Sequence, residues 1–533
     1  MKHEGKQGKQ AKRLLALAFV TVIAGSVRAD PGVARADHAA RAAELTLGLD
    51  LDEARKEIAA AGDADDPAIA LERGRLALYE ADCDAAALVL ARPELAKTDE
   101  GAALGDVARG CARVIAATVV DKDDARAVEV RYQDEGDRAL TPVLVDTVVK
   151  ARDALTRDLG VSWPKPTRIV VVRDLLSLSA MTGLPYESAQ TTGTVAVAKW
   201  GRVTLLSPRA SHHGYAWRDT MTHELTHLAV TRATIDRAPL WLQEGVAKRQ
   251  EIRWRDPGPF DDRPPVDAVV ARGMELQLDV GLDKLGPSIA MLPSADAAMV
   301  AFAEVTSFVR FFAQTSPPDA LPKLLSGLRN HKSVDEALKD AGGADMKQWD
   351  AKWRAYLAQR PKEPLPASFG LGSEPAGVRD LRERVRLAEL LYGRNHPAEA
   401  LRELDRVARP ATPTAGSAPS APASPDDPSL RYVRAKALEA AGRTKEAEPL
   451  VADPAEVIAS YGPWWALRGR FAIVRNELVV ADGSFFESVA ADPFDIESAC
   501  RGGADPAVVP EEGGLRLLCD AARAAGEPGL GQD

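Results

Sequence analysis

Two histidines four residues apart, with an acid directly after the first, restrict this chain more than any other feature in its sequence. Residues at i and i+4 share one face of an α-helix, so His223-Glu224-Leu225-Thr226-His227 can turn both imidazoles toward one cation only as a helix. Glu224 then stands beside the coordination position the imidazoles leave open, where a carboxylate can take a proton from water. Glu244 follows 17 residues after His227, inside Leu240-Trp241-Leu242-Gln243-Glu244-Gly245-Val246-Ala247. A second helix, antiparallel to the first, would carry this carboxylate to the same place. Two imidazoles and one carboxylate, with a fourth position left for water, form the donor set of a catalytic rather than a structural zinc site. One Zn2+ per chain is the expectation, although the same donors accept other divalent metals.

The surroundings of this pair have their own texture. Residues 128–132 alternate as a strand does, 140–159 show helical spacing, and 168–172 (RIVVV) form a short β-branched run. Residues 194–198 and 203–207 flank Lys199-Trp200-Gly201-Arg202 and read as a β-hairpin. Helices are predicted over 218–233 and, opening after Pro239, over 240–251. A small sheet therefore leads into a helix pair.

With HELTH on one helix and WLQEGVA on the next, residues of roughly 125–360 resemble the gluzincin metallopeptidases, and within them the peptidase MA-like domains of bacterial exported proteins. The resemblance implies an α+β, zincin-like fold in which His223, His227 and Glu244 bind the metal. It makes Glu224 the general base and later the proton donor in peptide-bond hydrolysis, and a peptide or protein the substrate. Such enzymes hold extended substrate on an edge strand, a role open to 194–198 or 203–207. They also supply a Tyr or His to the oxyanion, yet Phe302 stands where a Tyr often occurs; Tyr215 is the other aromatic hydroxyl close in sequence. A ligand imidazole usually donates its second N–H to a carboxylate or carbonyl, and Asp219, one turn before His223, is the expected partner. Adjacent His212 and His213 read as surface residues, and the Trp349/Trp353 pair as core packing.

Helices dominate on either side. Residues 47–58 resemble 79–90, and 390–404 resemble 437–450, each pair sharing a helix end, a polar turn and an Ala-led second helix. The first spacing, about 32 residues, is near that of tetratricopeptide-like hairpins. The organisation expected is a signal peptide (1–29), an N-terminal helical region (30–122), the metallopeptidase domain (123–362) and a C-terminal helical-repeat region (375–533) containing a Pro/Ala/Ser-rich linker at 410–428. The signal peptide is read from Lys2, Lys6, Lys9, Lys12 and Arg13 before an apolar run that ends in Val27-Arg28-Ala29, with no later run apolar enough to span a bilayer. A periplasmic or extracellular location follows. An oxidising compartment favours Cys83–Cys111 and Cys500–Cys519 disulfides, buried free thiols being the other reading. A net charge of -10 without a Lys/Arg cluster beyond the N-terminus excludes a nucleic-acid binder. The repeats offer a surface for a protein partner, which leaves a second reading: an envelope scaffold whose zinc domain is inactive.

Overall fold

A computed structural model describes residues 31–500 except 63–64, 164, 259, 287, 361–362, 366–370, 372–374, 408–426, 455–459, 496–497 and 499. The signal peptide, most of the linker and Cys519 lie outside the described residues. At the centre is a five-stranded sheet of order β1-β2-β3-β5-β4, made of β1 (Val119–Asp123), β2 (Val128–Tyr132), β3 (Thr167–Val172), β4 (Ala196–Lys199) and β5 (Arg202–Leu206). β2, β3 and β5 run parallel, and β1 and β4 are antiparallel at the two edges. The expected hairpin is β4–β5, closed by Trp200 and Gly201, both at positive φ (55° and 68°) as a tight two-residue turn demands. β1 is too short and too charged (VVDKD) to be read from its pattern, so the boundary drawn at 122–123 falls inside a strand.

Alternation sorts the strand residues onto two faces. Ile169, Val171, Val203 and Leu205 face the helices Thr141–Leu159 and Trp217–Thr234 in the main core. Val170, Val172 and Leu206 face the other way, into a core shared with Leu104, Ala108, Cys83 and Cys111 of the N-terminal helices. Cys83 and Cys111 are joined as a disulfide inside that core. Cys500 is also disulfide-bonded. The N-terminal helices thus form one layer of the sheet's own packing. Fully buried Arg202 ties the layers together, donating to the Leu78 carbonyl at 2.6 Å and to Cys111 Sγ at 3.3 Å.

The helical flanks repeat one turn. The helices Pro31–Leu47 and Pro67–Tyr79 are each followed two residues on by a residue at positive φ, Leu49 (59°) and Ala81 (65°), after which Asp50 N–H and Asp82 N–H reach back to the Leu45 and Ala77 carbonyls. In the C-terminal unit, whose separate core holds Trp464, Trp465 and Phe471, the same turn occurs at Asn395, Gly442 and Asn476. The hairpin formed by Gly462–Val474 and Leu478–Ala491 was not foreseen. Among the described residues no helix is long and apolar enough to cross a membrane.

Candidate metal centre

The helix carrying the HExxH residues spans Trp217–Thr234, and the one carrying Glu244 spans Leu240–Gln250. Between them the chain turns through Ile235 and Asp236, both at positive φ, which reverses its direction within a few residues. The second helix is then pressed against a third, Ala295–Thr315. Gly245, adjacent to Glu244, makes this possible: a Cβ there would lie 2.4 Å from Val309 Cγ2 and 2.6 Å from the Val305 carbonyl oxygen. Behind it, edge-to-face contacts run from Trp241 to Phe308 (5.2 Å) and from Phe308 to Trp353 (5.8 Å), and Trp349 is buried beside them.

The packing brings His223, His227 and Glu244 together, with donor atoms all within 4.8 Å of one another. The two Nε2 atoms are 3.2 Å apart, and each lies 3.5 Å from Glu244 Oε2. A tetrahedral zinc with bonds of about 2.0–2.1 Å holds its ligand atoms roughly 3.3–3.4 Å apart, so the three donors fit that ion. Each ring is oriented by its outer nitrogen. His223 Nδ1 donates to Glu251 Oε2 (3.2 Å) and His227 Nδ1 to Gln243 Oε1 (3.3 Å), while Lys248 Nζ reaches both oxygens of Glu251 at 2.8 Å.

Glu251 replaces Asp219 as the partner of the ligand ring. Asp219 lies one turn before His223, but its carboxylate is taken by Trp254 Nε1 (2.8 Å) and by Arg255 (2.7 and 3.0 Å), which pull it toward the following loop. Glu251, seven residues after Glu244, sits two turns along the same side of the second helix; that spacing was the available signal.

The electrostatics show a site built for positive charge. Burial opposes a charge on His223, yet Glu244 and Glu251, with Glu224 close by, outweigh it and push its pKa up to about 9. His227 is raised in the same way, chiefly by Glu244 against burial. Burial also opposes ionisation of the acids, but the facing imidazoles hold Glu244 well below the usual carboxylate range, and Lys248 with His223 brings Glu251 down to about 2.

Glu224 is 7% exposed, and its Oε2 accepts the backbone N–H of Ala198 at 2.6 Å. Ala198 lies on β4, one of the two edges of the sheet; β5, the other strand considered for substrate, is interior between β3 and β4. The acid of HExxH is therefore fastened to the edge strand of the hairpin. Neither aromatic considered for the oxyanion supplies a hydroxyl. Phe302 stands with its ring 6.4 Å from that of His223, and the Tyr215 hydroxyl donates to the Leu206 carbonyl.

Residues 147–359 match the family model of the peptidase MA superfamily. The chain carries a gluzincin-like peptidase domain. The match begins within the helix Thr141–Leu159 and includes both helices of the metal centre together with β3, β4 and β5. No curated protein matches the chain significantly.

The loop between β5 and the HExxH helix is gripped by the C-terminal helices. Tyr215 N–H donates to the Ala491 carbonyl and Gly462 N–H to the His213 carbonyl, each at 3.0 Å. His213 stacks on Tyr461 with centroids 4.3 Å apart, and His212 Nε2 meets Glu389 at 2.9 Å. Gly214, at φ 67°, lies so close that a Cβ would be 2.3 Å from the Ala491 oxygen. The two histidines thus belong to an interface within the chain.

Proposed function

We propose that this chain is an exported zinc metallopeptidase. The observation that carries the reading is the set of three donors at tetrahedral spacing with Glu224 on the neighbouring face of the same helix. His223, His227 and Glu244 would hold the metal, and Glu251 and Gln243 fix the two rings in the tautomer that turns Nε2 inward. When bound, zinc supplies Lewis-acid polarisation of the scissile carbonyl and lowers the pKa of water at the site. Glu224 takes the proton of the attacking water and delivers it to the leaving amine. Its anchorage to Ala198 keeps one carboxylate oxygen at the sheet edge. β4 would offer its outward backbone groups other than the Ala198 N–H to an extended peptide, so that the bond to be cut lies alongside that carboxylate. The leader at 1–29 assigns the protein to the periplasm or the exterior, and the tetratricopeptide-like hairpins offer a surface for a protein partner.

A second reading, a scaffold with an inactive domain, draws on Phe302 and on the engagement of the Tyr215 hydroxyl, which leave the oxyanion without an aromatic hydroxyl. Zinc content and casein hydrolysis of residues 30–533, beside Glu224→Ala, separate the two. Stoichiometric zinc in both proteins with activity in the parent alone supports the peptidase. Zinc in both with activity in neither, on casein and on a broad peptide library, supports the scaffold.

A further inference from the structure

A cavity of about 390 Å³ lies where three parts of the chain meet: the turn after the first N-terminal helix, the start of β3, and the HExxH helix beyond its metal ligands. Leu49, Trp163, Lys165, Arg168, Gly201 and Leu228 are among its lining residues, and none of the three metal donors is. Its acids are already engaged. Asp50 pairs with Arg232 at 2.8 Å, Asp52 with Arg55 at 2.8 Å, Glu53 with Lys56 at 2.6 Å, and Glu80 with Arg55. Glu129, across the sheet from Arg168, is held by Arg131 at 3.1 Å.

Two cations remain. Lys165 and Arg168 line the cavity, and their side chains have neither a hydrogen bond nor an ion pair among the described residues. Arg168 is half-buried, and burial lowers its guanidinium pKa even though the charges of Glu129 and Glu80 oppose the shift, so these carboxylates compensate its withdrawal from water only in part. A planar guanidinium presents its donors as a fork that matches a carboxylate or phosphate. The rest of the lining is mostly polar, with one fixed apolar ring: Trp163 is tied through Nε1 to Thr167 Oγ1 at 2.5 Å, while Leu49 and Leu228 lie largely buried behind the surface.

We propose that this cavity is a binding site for a small oxyanion, a carboxylate or phosphate, with Arg168 and Lys165 receiving the anionic group and the Trp163 ring flanking a small apolar substituent. The volume falls in the lower part of the range usual for small-molecule sites. The site is separate from the metal centre, and its occupancy is read without any activity.

Isothermal titration calorimetry of the zinc-loaded full chain in 0.15 M chloride tests it with two probes, inorganic phosphate and N-acetyl-leucine. Saturable binding of at least one probe at one site per chain is expected, weakened about tenfold or more by Arg168→Gln and about threefold by Lys165→Gln. Binding of phosphate alone assigns a phosphoryl ligand, and binding of N-acetyl-leucine alone assigns a carboxylate. The exposed Lys165 keeps the test decisive if Arg168→Gln fails to fold. Absence of binding by both probes, or affinity unchanged in folded Lys165→Gln, overturns the proposal.

Discussion

Adding one methyl group at Gly245 should loosen the metal centre from behind. In Gly245→Ala the new Cβ meets Val309 Cγ2 at 2.4 Å and the Val305 carbonyl oxygen at 2.6 Å. The valine can rotate, but the carbonyl belongs to a helix backbone and cannot yield alone. Restoring an ordinary contact parts the two helices by roughly 0.8 Å, more than the ~0.5 Å within which a working site must hold its groups. Overpacking of this kind costs about 1–3 kcal/mol, or a fall in Tm of roughly 3–10 °C. Because Glu244 is the adjacent residue, zinc affinity should fall with stability, by about tenfold or more. Differential scanning calorimetry of the metal-free protein gives the first quantity and competition with a chromophoric chelator the second. Gly483→Ala is the matched control: this glycine also lies in a helix, yet a Cβ there meets nothing within 4 Å, so Tm should hold or rise slightly. If Gly245→Ala melts within 1 °C of the parent and binds zinc equally well, the close approach of these helices does not position Glu244.

Removing the charge behind His223, by Glu251→Gln, should lower zinc affinity about 10- to 100-fold with little change in Tm; equal affinity would refute a positioning role for Glu251. The metal-free site keeps a proton on His223 up to pH about 9, and zinc must expel it, so apparent affinity should rise about tenfold per pH unit from 7 toward 9 and then level off. A flat profile in chelator competition would show that the carboxylates do not hold that proton. The Cys83–Cys111 bond closes a loop with a sequence separation of 28. On chain entropy alone, Cys83→Ala/Cys111→Ala should lose about 3.5 kcal/mol in urea unfolding, and a loss under 1 kcal/mol would contradict that account.

The elements around the metal were legible because each is written locally: helical spacing places both imidazoles, β-branched runs mark the strands, and Trp200-Gly201 closes a hairpin. Facts that depend on how elements meet were not. Asp219 was the partner expected from sequence, and only the pull of Trp254 and Arg255 on it, with the fold-back of the second helix that brings Glu251 to the ring, sets that aside. The hairpin was visible, but which strand is the free edge depends on β3 pairing with β5 and not β4. β1 escaped because its pattern of half-buried and exposed residues carries little apolar signal.

Arg202 has a consequence for how this protein can be divided. Its fully buried guanidinium finds an oxygen at Leu78 and a sulfur at Cys111, both well before residue 147, and β2, the neighbour of β3, also lies outside the matched segment. A piece excised at the limits of the family match would carry a stranded cation in its interior and an uncovered sheet face, and should come out of cells as aggregate. The segment that matches the family is smaller than the unit whose core it shares, so the N-terminal helices are part of the foundation of this domain.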